Sequence, residues 1–294
     1  MQKIILYYLF TPLKDPRAIM HWQKTLTLNL SLKGRVIVSE HGINGTLGGD
    51  VTDLKKYIKD TRSYPQFKPM VFKWSDGSKD DFPKLSVKVR PELVTFGVSP
   101  DQIKVDSSGV VGAGKRIKPE QLHDLVRNKG NRLIFVDGRN AREAAIGKFK
   151  NAVVLNVRHT RDFPEEIGKS ELDYLKDKTI VTYCTGGIRC EILSKLMLDA
   201  GYKDVYQLDG GITTYLERFG NDGLWEGSLF VFDRRLKIGV PGNKIIGCCS
   251  YCSSPTENYV NCTNQACNEL ILICDNCLNK TGVCAACKTP SKAV

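Results

Sequence analysis

Apolar residues recur along the chain with two different periods, and the switches between them mark out successive elements. Lys3–Phe10 holds the continuous apolar run Ile4-Ile5-Leu6-Tyr7-Tyr8-Leu9-Phe10 and reads as a first β-strand. In Asp15–Leu30 the residues Ile19, Trp22, Leu26 and Leu30 fall at helical spacing, which predicts a helix. Arg35–Ser39 predicts another strand, and Asn44-Gly45 supplies a tight-turn signal before Thr46-Leu47-Gly48. A second helix, capped by Asp50 or Thr52, is expected to run to about Thr61. Val71–Trp74 and Leu85–Val89 give further strands. This alternation predicts a small ferredoxin-like (acylphosphatase-like) α+β sandwich over residues 1–97.

Residues 98–118 are rich in Pro, Gly, Ser and Asp with little periodicity, and are expected to form a linker. Over residues 119–222 strands and helices alternate again. Glu120–Asn128 is expected as a helix, and Arg132–Asp137, Val153–Asn156, Thr179–Tyr183 and Asp204–Leu208 as strands. A helix starting near Ile188 places Ile192, Leu193, Leu196 and Met197 on one face, and another follows Gly210-Gly211 through Leu216. Such alternation implies a mainly parallel sheet covered on both sides. Residues 223–294 form a cysteine-rich tail. The expected fold class is thus α/β and α+β multidomain: a sandwich, a parallel α/β domain and a small Cys-rich module.

Charge changes this picture more than composition does. The formal net charge is +11, yet residues 1–118 hold 20 Lys and Arg against 11 Asp and Glu, while residues 119–222 hold 16 of each. A basic excess lying almost wholly in the N-terminal third is the footprint of a module that touches a polyanion; a solvated, lysine-rich surface accounts for it equally well. No apolar run approaches the ~20 residues that span a bilayer. The N-terminal run lacks a basic lead and a small-residue cleavage site, so it is expected as a strand of a cytoplasmic protein and not as a signal segment. Nine of the eleven cysteines lie between Cys248 and Cys287 and none precedes Cys184. A metal-bound tail in a reducing compartment explains that placement better than a disulfide framework does.

Cys184 directly follows the apolar strand Ile180-Val181-Thr182-Tyr183 and opens the loop Cys184-Thr185-Gly186-Gly187-Ile188-Arg189. Ligands of open α/β sheets bind at the carboxyl ends of the strands. Gly186 and Gly187 let the backbone curl its N–H groups toward the sulfur, and a helix N-terminus adds partial positive charge. Arg189 adds a permanent cation. All three favour thiolate over thiol, which a nucleophilic cysteine requires. A buried structural cysteine is the competing reading, but strand, Cys, Gly-Gly, Arg and helix in this order are more specific than that. The reading requires the sulfur to titrate below a free thiol and to stand near an opening. Cys190 adjoins the loop and either acts as a resolving thiol or faces the packing side of the helix.

The tail carries four cysteine pairs, Cys249/Cys252, Cys262/Cys267, Cys274/Cys277 and Cys284/Cys287. A two-residue gap lets one knuckle place both sulfurs on a metal, and two knuckles complete a tetrahedral site. Eight thiolates without histidine point to structural zinc ahead of an iron–sulfur cluster. Spacing alone leaves sequential and cross-braced pairing both open, and Cys248 stands as a spectator.

The loop resembles that of the rhodanese family. So do Phe135-Val136-Asp137-Gly138-Arg139 with Glu143, Gly147 and Asn151-Ala152, and the closing segment Leu208-Asp209-Gly210-Gly211-Ile212. Asp137, Arg139 and Glu143 are expected to shape the domain. Almost the whole chain is similar to the rhodanese-domain tRNA uridine hydroxylases (UPF0176-like rhodanese proteins). The specific stretches are Gly42-Ile43-Asn44-Gly45-Thr46-Leu47 and Cys184-Thr185-Gly186-Gly187-Ile188-Arg189-Cys190-Glu191; Lys33-Gly34-Arg35 and Leu85-Ser86-Val87-Lys88-Val89-Arg90 support them. His41 departs from the acidic residue that members often carry there. The resemblance implies oxygen-dependent 5-hydroxylation of the wobble uridine of tRNA, with the loop cysteine essential and molecular oxygen as co-substrate. Arg161, in a stretch resembling a family loop, becomes a candidate substrate contact. Two other readings stand beside this one: a sulfurtransferase carrying a persulfide on Cys184, and a non-enzymatic RNA-binding adaptor. Oligomeric state is left open by the sequence.

Overall fold

The structure is a computed structural model that describes residues 1–220, 222–280 and 282–288; residues 289–294 of the tail lie outside the described residues. Its N-terminal layer is a five-stranded sheet built from β1 (Gln2–Phe10), β2 (Lys33–Ser39), β3 (Gly42–Asp50), β4 (Val71–Asp76) and β5 (Leu85–Val89). The order is β4-β1-β3-β2-β5, antiparallel except where β5 joins β2 in parallel. Helices α1 (Pro16–Asn29) and α2 (Val51–Arg62) connect the strands as the ferredoxin-like pattern demands. Asp15 caps α1 by accepting from the Ala18 amide at 2.9 Å. Ile5, Tyr7, Val36, Val38, Leu47, Leu54 and Tyr57 form the core under the helices. Each is at most 1% exposed, so each such side chain stabilises the layer by about 1.5–3 kcal/mol.

The Asn44-Gly45 turn signal misleads. Both residues lie inside β3, and the β2–β3 hairpin turns at Glu40 and His41 between the paired Ser39 and Gly42. Gly45 is a strand residue because the ring of its cross-strand partner Tyr7 fills the space a Cβ would need.

The segment that composition marks as a linker carries a short hairpin, β6 (Val105–Asp106) and β7 (Gly109–Val110), and then β8 (Lys115–Ile117). β8 pairs in parallel with a strand nearly a hundred residues later, a contact no local pattern announces. Next come α3 (Pro119–Lys129), β9 (Leu133–Asp137), α4 (Ala141–Ala144), β10 (Gly147–Phe149), β11 (Val153–Val154) and α5 (Phe163–Glu166). Then follow β12 (Thr179–Tyr183), α6 (Ile188–Asp199), β13 (Asp204–Leu208) and α7 (Gly211–Phe219). β11-β9-β12-β13-β8 form one parallel sheet with β12 at its centre. Alternate residues divide between its faces. Val136 and Ile180 pack with Ile192, Leu193 and Met197 of α6, whereas Phe135, Val181 and Tyr183 pack with Leu122, Ile212 and Tyr215. Phe10, Leu93 and Phe96 enter the α6-side core, so apolar packing joins the two domains beside the separate core under the N-terminal helices.

The chain then forms β14 (Trp225–Gly227), which pairs with β10, and the hairpin of β15 (Leu229–Phe230) with β16 (Lys237–Ile238). The tail itself consists of the hairpin β17 (Tyr259–Asn261) and β18 (Leu270–Leu272) with two single-turn helices, α8 (Asp275–Leu278) and α9 (Ala285–Lys288). No helix among the described residues is long and apolar enough to cross a membrane.

Candidate functional site

Cys184 directly follows the central strand β12, and α6 begins four residues later. The loop between them is shaped from outside. The amides of Ile212 and Thr213, at the start of α7, donate to the carbonyls of Cys184 and Thr185 at 2.9 and 3.0 Å. With these carbonyls drawn outward, amides line the inner side of the loop. Gly187, at φ +100°, donates its N–H to the Cys184 sulfur at 3.2 Å. Burial raises the Cys184 pKa, but the Cys190 thiol, the Arg189 guanidinium and the amides of Arg189 and Gly187 outweigh it. The net result is a drop from 9.0 to about 5. Cys190 moves the opposite way: burial and the neighbouring Cys184 push it up, so it stays a neutral thiol. It is buried 3.8 Å from the Thr182 hydroxyl.

Arg189 does not aim its fork at the sulfur. The fork embraces the wholly buried Glu143, with Nη1 to Oε2 at 2.5 Å and Nη2 to Oε1 at 2.8 Å, and Nη2 also donates to the Thr185 hydroxyl at 3.2 Å. Glu143 is itself set by a capping box with Asn140 at the start of α4. Glu143 therefore fixes the guanidinium, beyond the shaping role expected for it. Asp137 and Arg139 form a second buried pair, at 2.7 Å, and the Tyr183 hydroxyl donates to Asp137 at 2.8 Å. This pair anchors the residue directly before the sulfur.

The N-terminal sheet roofs the loop. Leu6 leaves no space at Gly186, where a Cβ would stand 2.7 Å from Leu6 Cδ2. Lys73 donates its ammonium to the Gly186 carbonyl and lies 5.5 Å from the centroid of the Tyr8 ring. The Tyr8 hydroxyl donates to Glu191 at 3.1 Å. Glu191 is buried, which raises its pKa, and it also pairs with Arg116 at 2.7 Å and accepts from Gln207 at 3.3 Å. Cys184 is consequently 0% exposed. The adjoining opening is a cleft of about 490 Å³ bordered by Tyr8 and Lys73, which also meet the loop. The surroundings of the sulfur act to lower its pKa, and it stands beside an opening without reaching it. Leu6, Tyr8, Lys73 and Arg116 surround the loop and were not singled out by sequence reasoning. Arg161 lies exposed beside Gly97 and takes no part in the described contacts of Cys184.

The tail cysteines form two groups. Cys249, Cys252, Cys274 and Cys277 make one, and Cys262, Cys267, Cys284 and Cys287 the other, with the ligand atoms of each group within 4.8 Å of one another. The first and third pairs thus share a site, as do the second and fourth, which is the cross-braced arrangement. Cys252 and Cys274 stand 3.6 Å apart, as do Cys267 and Cys284. A tetrahedron with ~2.3 Å metal–sulfur bonds has edges of roughly 3.8 Å, whereas a disulfide would need ~2 Å. Either group could hold a metal ion. Cys248 is exposed and outside both. Glu269, two residues beyond Cys267, pairs with Arg142 of α4 and with Arg158 at 3.0 Å, tying the tail to the parallel domain.

Comparison with known proteins matches all three regions. Residues 2–93 match the UPF0176 acylphosphatase like domain, residues 118–218 the Rhodanese-like domain, and residues 226–290 the Rhodanase C-terminal family. A protein of Corynebacterium glutamicum (strain R) named tRNA uridine(34) hydroxylase is 57% identical over 277 residues, covering 94% of this chain and 88% of its own. Proteins of the same name from Corynebacterium kroppenstedtii and Rhodococcus jostii are each 54% identical. They cover 98% and 95% of this chain, and 98% and 99% of their own. A solved rhodanese-like domain from Anabaena is 17% identical with a TM-score of 0.32, over 38% of this chain and 78% of its own.

Proposed function

Because the chain belongs to the family of tRNA uridine(34) hydroxylases, we propose that it is a tRNA-modifying oxidoreductase that hydroxylates C5 of the wobble uridine through the thiolate of Cys184. The observation that carries this reading is the loop itself, whose Gly187 amide donates to one sulfur and whose amides and Arg189 lower its pKa, beside a cleft. Thiolate addition to C6 of uracil would make C5 electron-rich, and the family resemblance makes molecular oxygen the oxidant: C5 would take one oxygen atom, and the other would leave as water with two electrons and two protons from an external reductant. Loss of the C5 proton with expulsion of the Cys184 thiolate would restore the C5–C6 double bond. Arg189, held by Glu143, keeps the loop polarised throughout. Cys190 donates its thiol proton toward the anion and stands in reserve as a resolving thiol. Chemistry at the sulfur requires the roof to part, with Leu6 and Lys73 moving off Gly186.

The two tail sites are suited to zinc: four sulfurs each and no open position, the donor set of a structural centre. Bound there, zinc would hold the tail folded. Cys249, Cys252, Cys274 and Cys277 would ligate one ion, and Cys262, Cys267, Cys284 and Cys287 the other. A cytoplasmic location accords with tRNA as substrate.

Bulk tRNA from cells that carry only the Cys184→Ala protein, digested to nucleosides, tests the assignment. We expect 5-hydroxyuridine and its derivatives to disappear. Unchanged levels would remove Cys184 from the chemistry, and rapid thiosulfate-to-cyanide transfer by a wild-type protein that leaves tRNA unmodified would make it a sulfurtransferase.

A further inference from the structure

The helix-free face of the N-terminal sheet carries basic, polar and apolar residues together. Register places Lys73, Leu6, Thr46, Arg35 and Ser86 in one row across all five strands. Val71, Tyr8, Asn44, Ile37 and Lys88 form the neighbouring row on the same face. The β4 end of these rows covers the thiolate loop. Beside it, the cleft of about 490 Å³ opens between this face and the parallel domain. That volume lies within the range of sites that enclose small organic ligands, about 300–1,000 Å³.

The cleft's charges are of two kinds. Arg116 and Arg218 are committed to carboxylates, Arg116 to Glu191 and Arg218 to Glu120 at 3.0 Å. Lys73 and Lys118 also line it, and neither has a carboxylate partner among the described residues. Asp209, likewise without an ion pair there, contributes an acceptor, and Tyr8 an aromatic edge. Two ammonium groups without a carboxylate partner suit anionic oxygens, although Lys73 already bonds the Gly186 carbonyl, and a carboxylate suits a hydrogen-bond donor. One ligand class offers both: a nucleotide, anionic at its phosphates and donating through a base imide or ribose hydroxyls.

We infer that this interdomain cleft is the seat of a ribonucleotide within an RNA strand, with Lys73 and Lys118 taking its flanking phosphates and Asp209 accepting from its imide N–H or ribose hydroxyls. The inference rests on the proposed function and deepens it, because it says where the strand lies when its uridine meets the sulfur. Lys73 couples the two: the same ammonium bonds the Gly186 carbonyl when the cleft is empty. A phosphate that draws Lys73 away from Gly186 removes one contact that keeps the roof down.

Full-length protein and a labelled anticodon stem-loop RNA give the test, with affinity measured by fluorescence anisotropy over a range of salt and turnover by nucleoside analysis. Lys118 is exposed, so Lys118→Met leaves the fold intact. It should weaken binding about 3–10-fold and reduce the slope of log affinity against log salt by about 0.7–0.9, one phosphate contact. Lys73→Met should weaken binding similarly, and Asp209→Asn should raise KM with a smaller effect on the salt slope. Lys203→Met, which removes only a surface pair with Asp177, should match wild type. Uridine 5′-monophosphate should compete only at far higher concentration than the stem-loop; equal affinity would mean a free nucleotide and overturn the strand. If the three cleft variants bind and turn over as wild type does, while wild type forms 5-hydroxyuridine, the seat is wrong and the proposed function survives. If wild type forms none but the variants still lose affinity and salt slope, the seat stands and the proposed function falls.

Discussion

Gly211 adopts φ +67°, and a Cβ there would stand 2.5 Å from the carbonyl oxygen of Cys184 and 2.7 Å from the amide nitrogen of Gly187. Those are backbone atoms of the thiolate loop and cannot swing aside. Gly211→Ala should therefore cost about 1–3 kcal/mol of stability and abolish most turnover, because the amides that face the sulfur shift with the loop. Gly201 is the control: it lies at φ +92° with nothing within 4 Å of a Cβ. Gly201→Ala should cost about 1 kcal/mol and leave turnover per folded molecule unchanged. Thermal melts paired with initial rates separate the two. The sulfur also sets a pH dependence. With its pKa lowered to about 5, thiolate is the dominant form at neutral pH. Alkylation of Cys184 should be flat from pH 6 to 8 and fall about tenfold per unit well below 5. The folded value lies below the ordinary thiol value of 9.0. The thiolate's contribution to stability is thus complete above about 9 and lost as pH falls to about 5. The stability difference between wild type and Cys184→Ser should shrink over that window. A profile centred near 8.5 would mean that the cradle does not act on the sulfur.

At the scale of elements, local pattern carried far where neighbours in sequence are neighbours in space. Leu85–Val89, Thr179–Tyr183 and Asp204–Leu208 are strands with the ends that apolar runs marked. The misread turn at Asn44-Gly45 and the hidden strand Lys115–Ile117 have one cause: each depends on a cross-strand partner, Tyr7 and Tyr206 respectively, which lies far along the chain. Pairing of the tail cysteines was illegible for the same reason. The β17–β18 hairpin decides it, by bringing Cys252 next to Cys274 and leaving Cys267 to Cys284. This has a countable consequence. If both groups bind metal, the chain should carry two ions by elemental analysis. Cys249→Ser with Cys274→Ser strikes one group only and should leave one ion, whereas Cys249→Ser with Cys262→Ser strikes both and should leave none. Sequential pairing would give the reverse result for the two double variants.

Across the whole molecule, the first strand held a sign that its local reading did not use. Ile4 through Phe10 is apolar at every position, yet a sandwich with helices on one face needs only alternate apolar residues. The surplus, Ile4, Leu6, Tyr8 and Phe10, marks a strand covered on both sides. What covers it, the thiolate loop nearly two hundred residues away, could not be read from local pattern. Lys73 was harder still, since a lysine in an edge strand reads as a solvent-facing residue. The resulting closure should govern access to Cys184. In native protein, reaction of Cys184 with iodoacetamide requires Leu6 to leave Gly186, so its rate equals the fraction open times the intrinsic thiolate rate. Leu6→Ala thins the roof while leaving the amides and Arg189 in place. It should speed labelling of the Cys184 peptide roughly tenfold, equivalent to ~1.4 kcal/mol of closure. The exposed Cys248, read in the same mass spectra, should react at an unchanged rate. The apparent pKa of Cys184 should also stay near 5, because Leu6 carries no charge. Equal labelling rates in the two proteins would mean that reagent reaches the sulfur by another route, and that the N-terminal sheet is not what shields it.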